Sequence, residues 1–233
     1  MEKPSTNNVT KINYQRICDE ILEKLPSNPK PKILLHVCCG PCSCYPLTFL
    51  ATRFDITIYY GNSNIYPAEE YNHRLSELRR LLDCLKRDHG YDIKLIVPPY
   101  DNENYMKHLE PLKDQPEGGE RCFLCYALRM EEAYAYASAH GFDFFTTVMT
   151  VSRQKNSQKL NEIGKSLSFK YPNVAYLYSD FKKKKGLEIG TQIRKEYDLY
   201  NQDYCGCQYS YEEALIRRAK NVEKEAAPMS VKN

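Results

Sequence analysis

No tryptophan occurs in the 233 residues, and the formal net charge is only +3. A balance that mild excludes a chain dominated by one sign of charge, so binding to a polyanion would have to rest on a local basic patch. No apolar run approaches the length that spans a bilayer, and the opening "MEKPSTNNVTKINY" has no apolar core of the secretory kind. The expected location is therefore cytosolic, with no membrane partner. Also absent is the glycine–serine phosphate loop that ATP use calls for. Low-complexity tracts and internal repeats are lacking as well; the lysine run 182–185 is too short to count.

What the chain has in excess is sulfur. Ten cysteines occur, and in a reducing compartment that number points to metal binding or redox chemistry rather than to a disulfide framework. Hydrophobic residues make up 42%, enough for a sizeable core. Short apolar runs (33–37, 55–60, 91–97, 142–150 and 173–179) alternate with helical periodicity at 14–25, 46–53, 68–90, 102–112, 121–141, 157–171, 187–200 and 210–226. That alternation predicts an α/β fold: a mostly parallel sheet of about five strands with helices on both faces. Residues 1–10 read as a disordered N-terminus, 11–225 as a single α/β catalytic domain, and 226–233 as a C-terminal tail. In such sheets ligands gather at the carboxyl ends of the strands.

Three sulfur clusters stand out. "CCGPCSC" places Cys38, Cys39, Cys42 and Cys44 directly after the first strand. Adjacent side chains of extended backbone point apart, so Cys38 and Cys39 can share one ion only if the chain turns there; Gly40 and Pro41 read as that tight turn, returning Cys42 to the pair. "CFLC" sets Cys122 and Cys125 on one face of a helix start, where the dipole favours thiolate. "CGC" pairs Cys205 and Cys207 across one glycine; a disulfide there would close a small, easily reduced ring and suits a redox couple. Solitary Cys18 and Cys84 read as core residues. Zinc remains open, although zinc ribbons repeat CxxC on short hairpins; iron–sulfur ligation tolerates scattered spacing when the fold assembles the ligands.

Other residues collect at the strand ends. Ser152, Lys155 and Asn156 follow the fourth strand and suit a phosphate or polar ring, or an ordinary loop with Ser152 as a helix cap. Lys182 and Lys183 begin a four-lysine run that can neutralise phosphates, or form a solvated loop. Tyr60, Tyr66, Tyr71 and Tyr100 lie where rings could stack on bases. His36 reads as a core histidine. Asp101 reads as a helix cap, with a metal-ligand or acid role as the alternative.

Five motifs in order, "LLHVCCGPCS", "GNSNIYPAEEYNHRLSEL", "GERCFLCYALRM", "FTTVMTVSRQKN" and "DFKKKKG…YNQDYCGCQYS", together resemble the QueH-type epoxyqueuosine reductases. The resemblance implies a PP-loop-like (nucleotide α-hydrolase) fold whose first strand-to-helix loop carries cysteines instead of the nucleotide signature. It implies reduction of the epoxide of epoxyqueuosine at the wobble position of tRNA to queuosine, the final step of that pathway, without cobalamin. It also implies a 4Fe–4S cluster on Cys38, Cys39, Cys122 and Cys125, and a redox-active Cys205/Cys207 pair forming a disulfide bond. A second iron ion is associated with the family; Asp101, Cys42 and the Cys205/Cys207 pair are candidates to hold it. Cys44 is extra to the usual pattern. The electron donor is not encoded. Rival readings are a zinc-stabilised RNA-binding module and a PP-loop-like tRNA sulfur-transferase.

Overall fold

The computed structural model describes residues 11–226. The expectations for 1–10 and for a tail after 226 lie outside them. Five strands form one sheet: β1 (Lys32–His36), β2 (Asp55–Tyr59), β3 (Lys94–Ile96), β4 (Phe144–Thr147) and β5 (Ala175–Tyr176). Their order is β3-β2-β1-β4-β5, and every pairing is parallel. The order reverses at β1, so the crevice beyond its carboxyl end is a topological switch point. The expected all-α/β, parallel architecture is what the chain adopts.

Strand β1 is buried after its first residue because it is central. Its alternate side chains serve two cores. Ile33 and Leu35 pack with one set of buried residues, among them Cys18 and Leu22 of α1 (Tyr14–Leu22), Leu47 and Leu50 of α2 (Gly40–Ala51), and Leu78, Leu81 and Leu85 of α3 (Ala68–His89). Leu34 packs with the other, among Met130, Ala133 and Tyr134 of α5 (Glu120–Ala139) and Leu160 and Leu167 of α6 (Ser157–Lys170). Helices α4 (Asn102–Leu109), α7 (Gly186–Glu196) and α8 (Gln208–Ala226) complete the order. The solitary cysteines Cys18 and Cys84 are core residues, as read from the sequence.

Two segments differ from expectation in a way that shapes the site. Helix α2 begins at Gly40, six residues before the helical pattern at Pro46. Pro41 sits in its first turn, where a missing N–H costs nothing, and Pro46 lies inside it. Cys42 therefore returns toward Cys39 by helical geometry, three residues after this N-cap residue, rather than by a tight turn. Cys44 lies on the same helix, is fully buried, and donates to the Gly40 carbonyl at 3.6 Å; burial pushes its thiol up to about 12. It is a core cysteine. The other difference is α6, whose cap is Asn156 rather than Ser152: its side chain accepts from the Gln158 and Lys159 amides at 3.0 and 3.2 Å.

Candidate metal centre

The loop after β1 and the first turn of α2 bring Cys38, Cys39 and Cys42 together, with their sulfurs all within 4.8 Å of one another. Cys38 and Cys39 Sγ are 3.7 Å apart. The chain bends at Cys38, between β1 and the start of α2 at Gly40, and that change of direction lets neighbouring side chains converge. The Cys38 thiol is held well below its ordinary range, first by hydrogen bonds from Cys39 and Cys42. Those donors pay the converse: burial pushes Cys39 up to about 12, and the bonds to Cys38 raise Cys42. The trio thus holds one negative charge readily. Gln202 Nε2 donates to Cys39 Sγ at 2.9 Å and stands 3.8 Å from Cys42 Sγ.

The second set of thiols comes from α5 and the segment before α8. A helix joining parallel strands runs back along the sheet, so the first turn of α5 stands at the strands' carboxyl edge. Cys122 and Cys125 lie on that turn. Cys122 Sγ accepts from the Gly118 amide at 3.2 Å, and Tyr105 Oη donates to Cys125 Sγ at 3.3 Å. Both thiols are raised, burial being the largest cause, against the thiolate-favouring effect expected of a helix start; in this enclosed turn desolvation outweighs the dipole. Cys205 lies close enough to Cys122, Cys125 and Cys207 for its charge to reach each of them.

Cys205 and Cys207 are both free thiols, so the expected disulfide is not formed. Their loop is fastened from below. Arg74 of α3, 1% exposed, donates to the Tyr204 and Cys205 carbonyls at 3.2 and 3.0 Å and pairs with Glu70 at 2.7 Å. Between the cysteines, Gly206 has φ +133°, a region that favours glycine, and an added Cβ would meet Arg74 Nη1 at 3.0 Å.

Two cations, one of them buried, face these sulfurs. Lys155 is half-buried, and although burial opposes its charge, the sulfurs of Cys205, Cys38 and Cys42 raise it above the ordinary range. Arg129 of α5 is buried and donates to Asn62 Oδ1 at 2.5 Å. His36 is fully buried, bonds Thr147 Oγ1 at 2.9 Å, and is lowered to about 3 chiefly by burial; it is a core residue as read from the sequence, with its buried Nε2 left without a hydrogen-bond partner.

The remaining sequence candidates are spread more widely. Ser152 lines a cavity of about 380 Å³ that opens onto Cys42, Gln202, Arg153 and Arg194. Lys155, Asn156, Lys182 and Lys183 border a separate cavity of about 510 Å³. Lys182 is engaged within the fold: its Nζ donates to the Thr150 carbonyl at 2.9 Å and lies 3.4 Å from Asp180. Lys184 pairs with Asp19 at 2.7 Å. Lys183 is exposed. Asp101 is exposed and caps α4, accepting from the Asn104 amide at 3.1 Å and its Nδ2 at 2.5 Å, which lowers its carboxyl below the usual range. It does not join the Cys38–Cys39–Cys42 group. Of the four tyrosines suited to base stacking, Tyr60 and Tyr71 are buried, and the Tyr71 and Tyr100 rings lie 4.3 Å apart. Tyr66 packs edge-on to Tyr211. They stack on protein.

Sequence reasoning missed Arg74, Arg129 and Gln202. The signal available was position: Arg74 falls on the apolar stripe of α3 with Tyr71, Leu75 and Leu78, and Arg129 follows Cys125 by one helical turn.

The donor set suits a thiophilic centre. Thiolates are soft ligands that select zinc, Cu(I) or iron–sulfur groups over hard cations, and the two cations offset the charge of several thiolates.

Comparison with known proteins agrees with this chemistry. The family model for epoxyqueuosine reductase QueH matches residues 33–213. The chain is 38% identical over 219 residues to the epoxyqueuosine reductase QueH of Staphylococcus aureus, covering 93% of this chain and 90% of that one. It is 39% identical over 203 residues to that of Staphylococcus epidermidis, covering 86% and 85%. To that of Streptococcus pyogenes it is 37% identical over 201 residues, covering 86% and 78%. The matched span runs from the first residue of the β1 core through both later cysteine pairs, and so takes in the Cys38–Cys39–Cys42 group and both CFLC and CGC: the chain belongs to the epoxyqueuosine reductase QueH family.

Proposed function

We propose that the chain reduces the epoxide of epoxyqueuosine in tRNA to queuosine. The observation that carries the reading is the group of Cys38, Cys39 and Cys42, whose sulfurs lie within 4.8 Å of one another at the strand-end crevice of a sheet whose first loop lacks a phosphate-binding signature. Residues 11–225 act as one catalytic domain of PP-loop-like architecture. Cys38, Cys39, Cys122 and Cys125 would hold a 4Fe–4S cluster, and Cys42, Asp101 or the Cys205/Cys207 pair a second iron. When bound, such a centre supplies single electrons and Lewis acidity.

The reaction consumes two electrons and two protons: both epoxide C–O bonds break, a C=C bond forms, and the oxygen leaves as water. The chain's residues prepare for this. Gln202 orients Cys39, and Arg74 fixes the loop that carries Cys205 and Cys207, which pass reducing power from a separate electron donor. The cavity beside Cys42 receives the modified base once it leaves its stack. Ser152, Arg153 and Arg194 line its mouth, and Lys155, Asn156, Lys182 and Lys183 extend a polar, cationic border along which the tRNA backbone lies. Phosphate contacts of this kind weaken with salt. Free thiols and a tRNA substrate fit the cytoplasm; among the described residues no helix is long and apolar enough to cross a membrane.

The 3.7 Å separation of Cys38 and Cys39 also favours a second reading of the metal. Two thiolates bonded at about 2.3 Å to one tetrahedral ion stand about 3.8 Å apart, so a single ion on Cys38, Cys39 and Cys42 is the alternative to the cluster. The test of function is anaerobic reconstitution with iron and sulfide, followed by reductant and epoxyqueuosine-containing tRNA. Queuosine should form with wild type and fail with Cys122→Ala. Undiminished turnover by that variant would remove the cluster ligands from the mechanism.

A further inference from the structure

The thiols are surrounded by a charge arrangement that ordinary folding does not explain. Arg129 lies four residues after Cys125 on α5, hence on the same face. It is 2% exposed. Its Nη2 donates to Asn62 Oδ1 at 2.5 Å, while its buried Nε has no hydrogen-bond partner. Among the described residues, no carboxylate forms an ion pair with it. Arg74, buried equally deeply, has Glu70 at 2.7 Å. A guanidinium cannot shed its proton, and an uncompensated buried ion is costly. Its compensation must therefore come from groups around it that can carry negative charge. Those are Cys125, Cys38, Cys205 and the Tyr105 phenol. The position of Arg129 is also fixed relative to the first sulfur loop: Asn62, which accepts its hydrogen bond, donates through Nδ2 to the Val37 carbonyl at 2.8 Å, and Val37 immediately precedes Cys38.

We propose that Arg129 is the fixed counter-cation of the sulfur centre and sets its reduction potential. It is a positioning residue, acting through charge. The inference rests on the reading that the centre is an iron–sulfur one. Adding an electron makes such a centre more negative, and a cation held nearby in a poorly solvated site stabilises the reduced form more than the oxidised form. Removing its charge therefore lowers the potential, whereas exchanging arginine for lysine at position 129 retains most of it.

The experiment compares wild type with Arg129→Gln and Arg129→Lys, all prepared anaerobically and assayed for iron and labile sulfide before a potentiometric titration followed by electron paramagnetic resonance. At the wild-type midpoint, Arg129→Gln should be at least tenfold more oxidised than reduced, a shift of about 59 mV to negative potential for a one-electron couple. Arg129→Lys should stay within about threefold of wild type, or about 28 mV on the same scale. If Arg129→Gln does not load, Arg129→Lys decides: loading at the wild-type level with a midpoint inside that range supports the assignment, and failure to load overturns it. A loaded Arg129→Gln that keeps the wild-type midpoint overturns the assignment while leaving the iron–sulfur reading intact. A purely structural role would lower iron content in the Gln and Lys variants alike without moving the potential. Wild-type protein that takes up neither iron nor sulfide overturns the underlying reading and the assignment with it.

Discussion

Replacing Arg74 by methionine isolates the element that holds the last cysteine pair in place. The substitution keeps much of the apolar volume of the side chain but removes a guanidinium that is 1% exposed. Three charged hydrogen bonds disappear, to Glu70 Oε1 and to the Tyr204 and Cys205 carbonyls, together with the cation–π contact to the Tyr204 ring, 5.0 Å from its centroid. Deleting one partner of a buried, hydrogen-bonded ion pair costs about 3–5 kcal/mol. Glu70 keeps the Tyr200 hydroxyl at 3.2 Å, which places the loss toward the lower end, about 3 kcal/mol. For a chain of this size each kcal/mol moves the melting temperature by about 2–4 °C, so a fall of about 6–12 °C is expected. The assay is thermal unfolding of the metal-free protein, joined to iodoacetamide labelling of Cys205 and Cys207, which should quicken as their loop loosens. A melting temperature within about 2 °C of wild type, with unchanged labelling, would refute the argument that Arg74 fastens this loop.

Other outcomes follow from particular contacts. Glu77 bonds Arg80 at 2.8 Å and accepts from the Tyr200 amide at 2.6 Å, and the Arg80 bond above all lowers its carboxyl below the ordinary range. Its charged form therefore adds stability above the unfolded carboxylate pKa of about 4.3, a contribution lost as pH falls through the folded value. Glu77→Gln should flatten the acid limb of a melting-temperature profile below about pH 4.5; a limb as steep as wild type contradicts this. At Gly164 of α6 an added Cβ would stand 2.1 Å from Cζ of the buried Tyr176, so Gly164→Ala should cost about 1–3 kcal/mol by overpacking. Unchanged denaturant stability would show that the helix and ring separate freely. Cys18→Ala and Cys44→Ala should leave iron content at the wild-type level while Cys39→Ala reduces it, which elemental analysis checks; parallel loss in all three would erase the division between core and ligand cysteines.

Much of the architecture is legible because its local signals agree. The run ILLHV is apolar but for His36, close to the continuous apolar run of a strand buried on both faces. Helix α3 shows an apolar stripe broken only by Arg74 and a stop at Gly90, which takes φ +70° there. Strands β3 and β5 shrink to three and two residues, because edge strands pair on one side only and their length is decided by the neighbour. The start of α2 was hidden by Gly40, Pro41 and Pro46, residues that lower helix propensity and here sit where the first turn and the switch-point packing tolerate them. The cysteine spacing brought out Cys38, Cys39 and Cys42, which the fold groups, but not the polar side chains that bond them. Arg129 and Arg74 look from the sequence like surface charges on long helices, and only the tertiary fold brings a carbonyl, an amide or a sulfur to each. The lysine run is read only in part for the same reason: Lys182 and Lys184 find partners inside the fold that no local pattern announces, while Lys183 stays exposed.

The account stands on thiols from distant parts of the chain meeting around one inorganic centre. Its most direct test is the metal and acid-labile sulfide content of anaerobically purified wild-type protein, read alongside its visible absorption. The account predicts a brown protein with iron and sulfide in comparable amounts, and loss of both in Cys39→Ala and Cys122→Ala. A colourless protein carrying zinc without sulfide, or one whose cysteines all react freely with a thiol reagent, would contradict it.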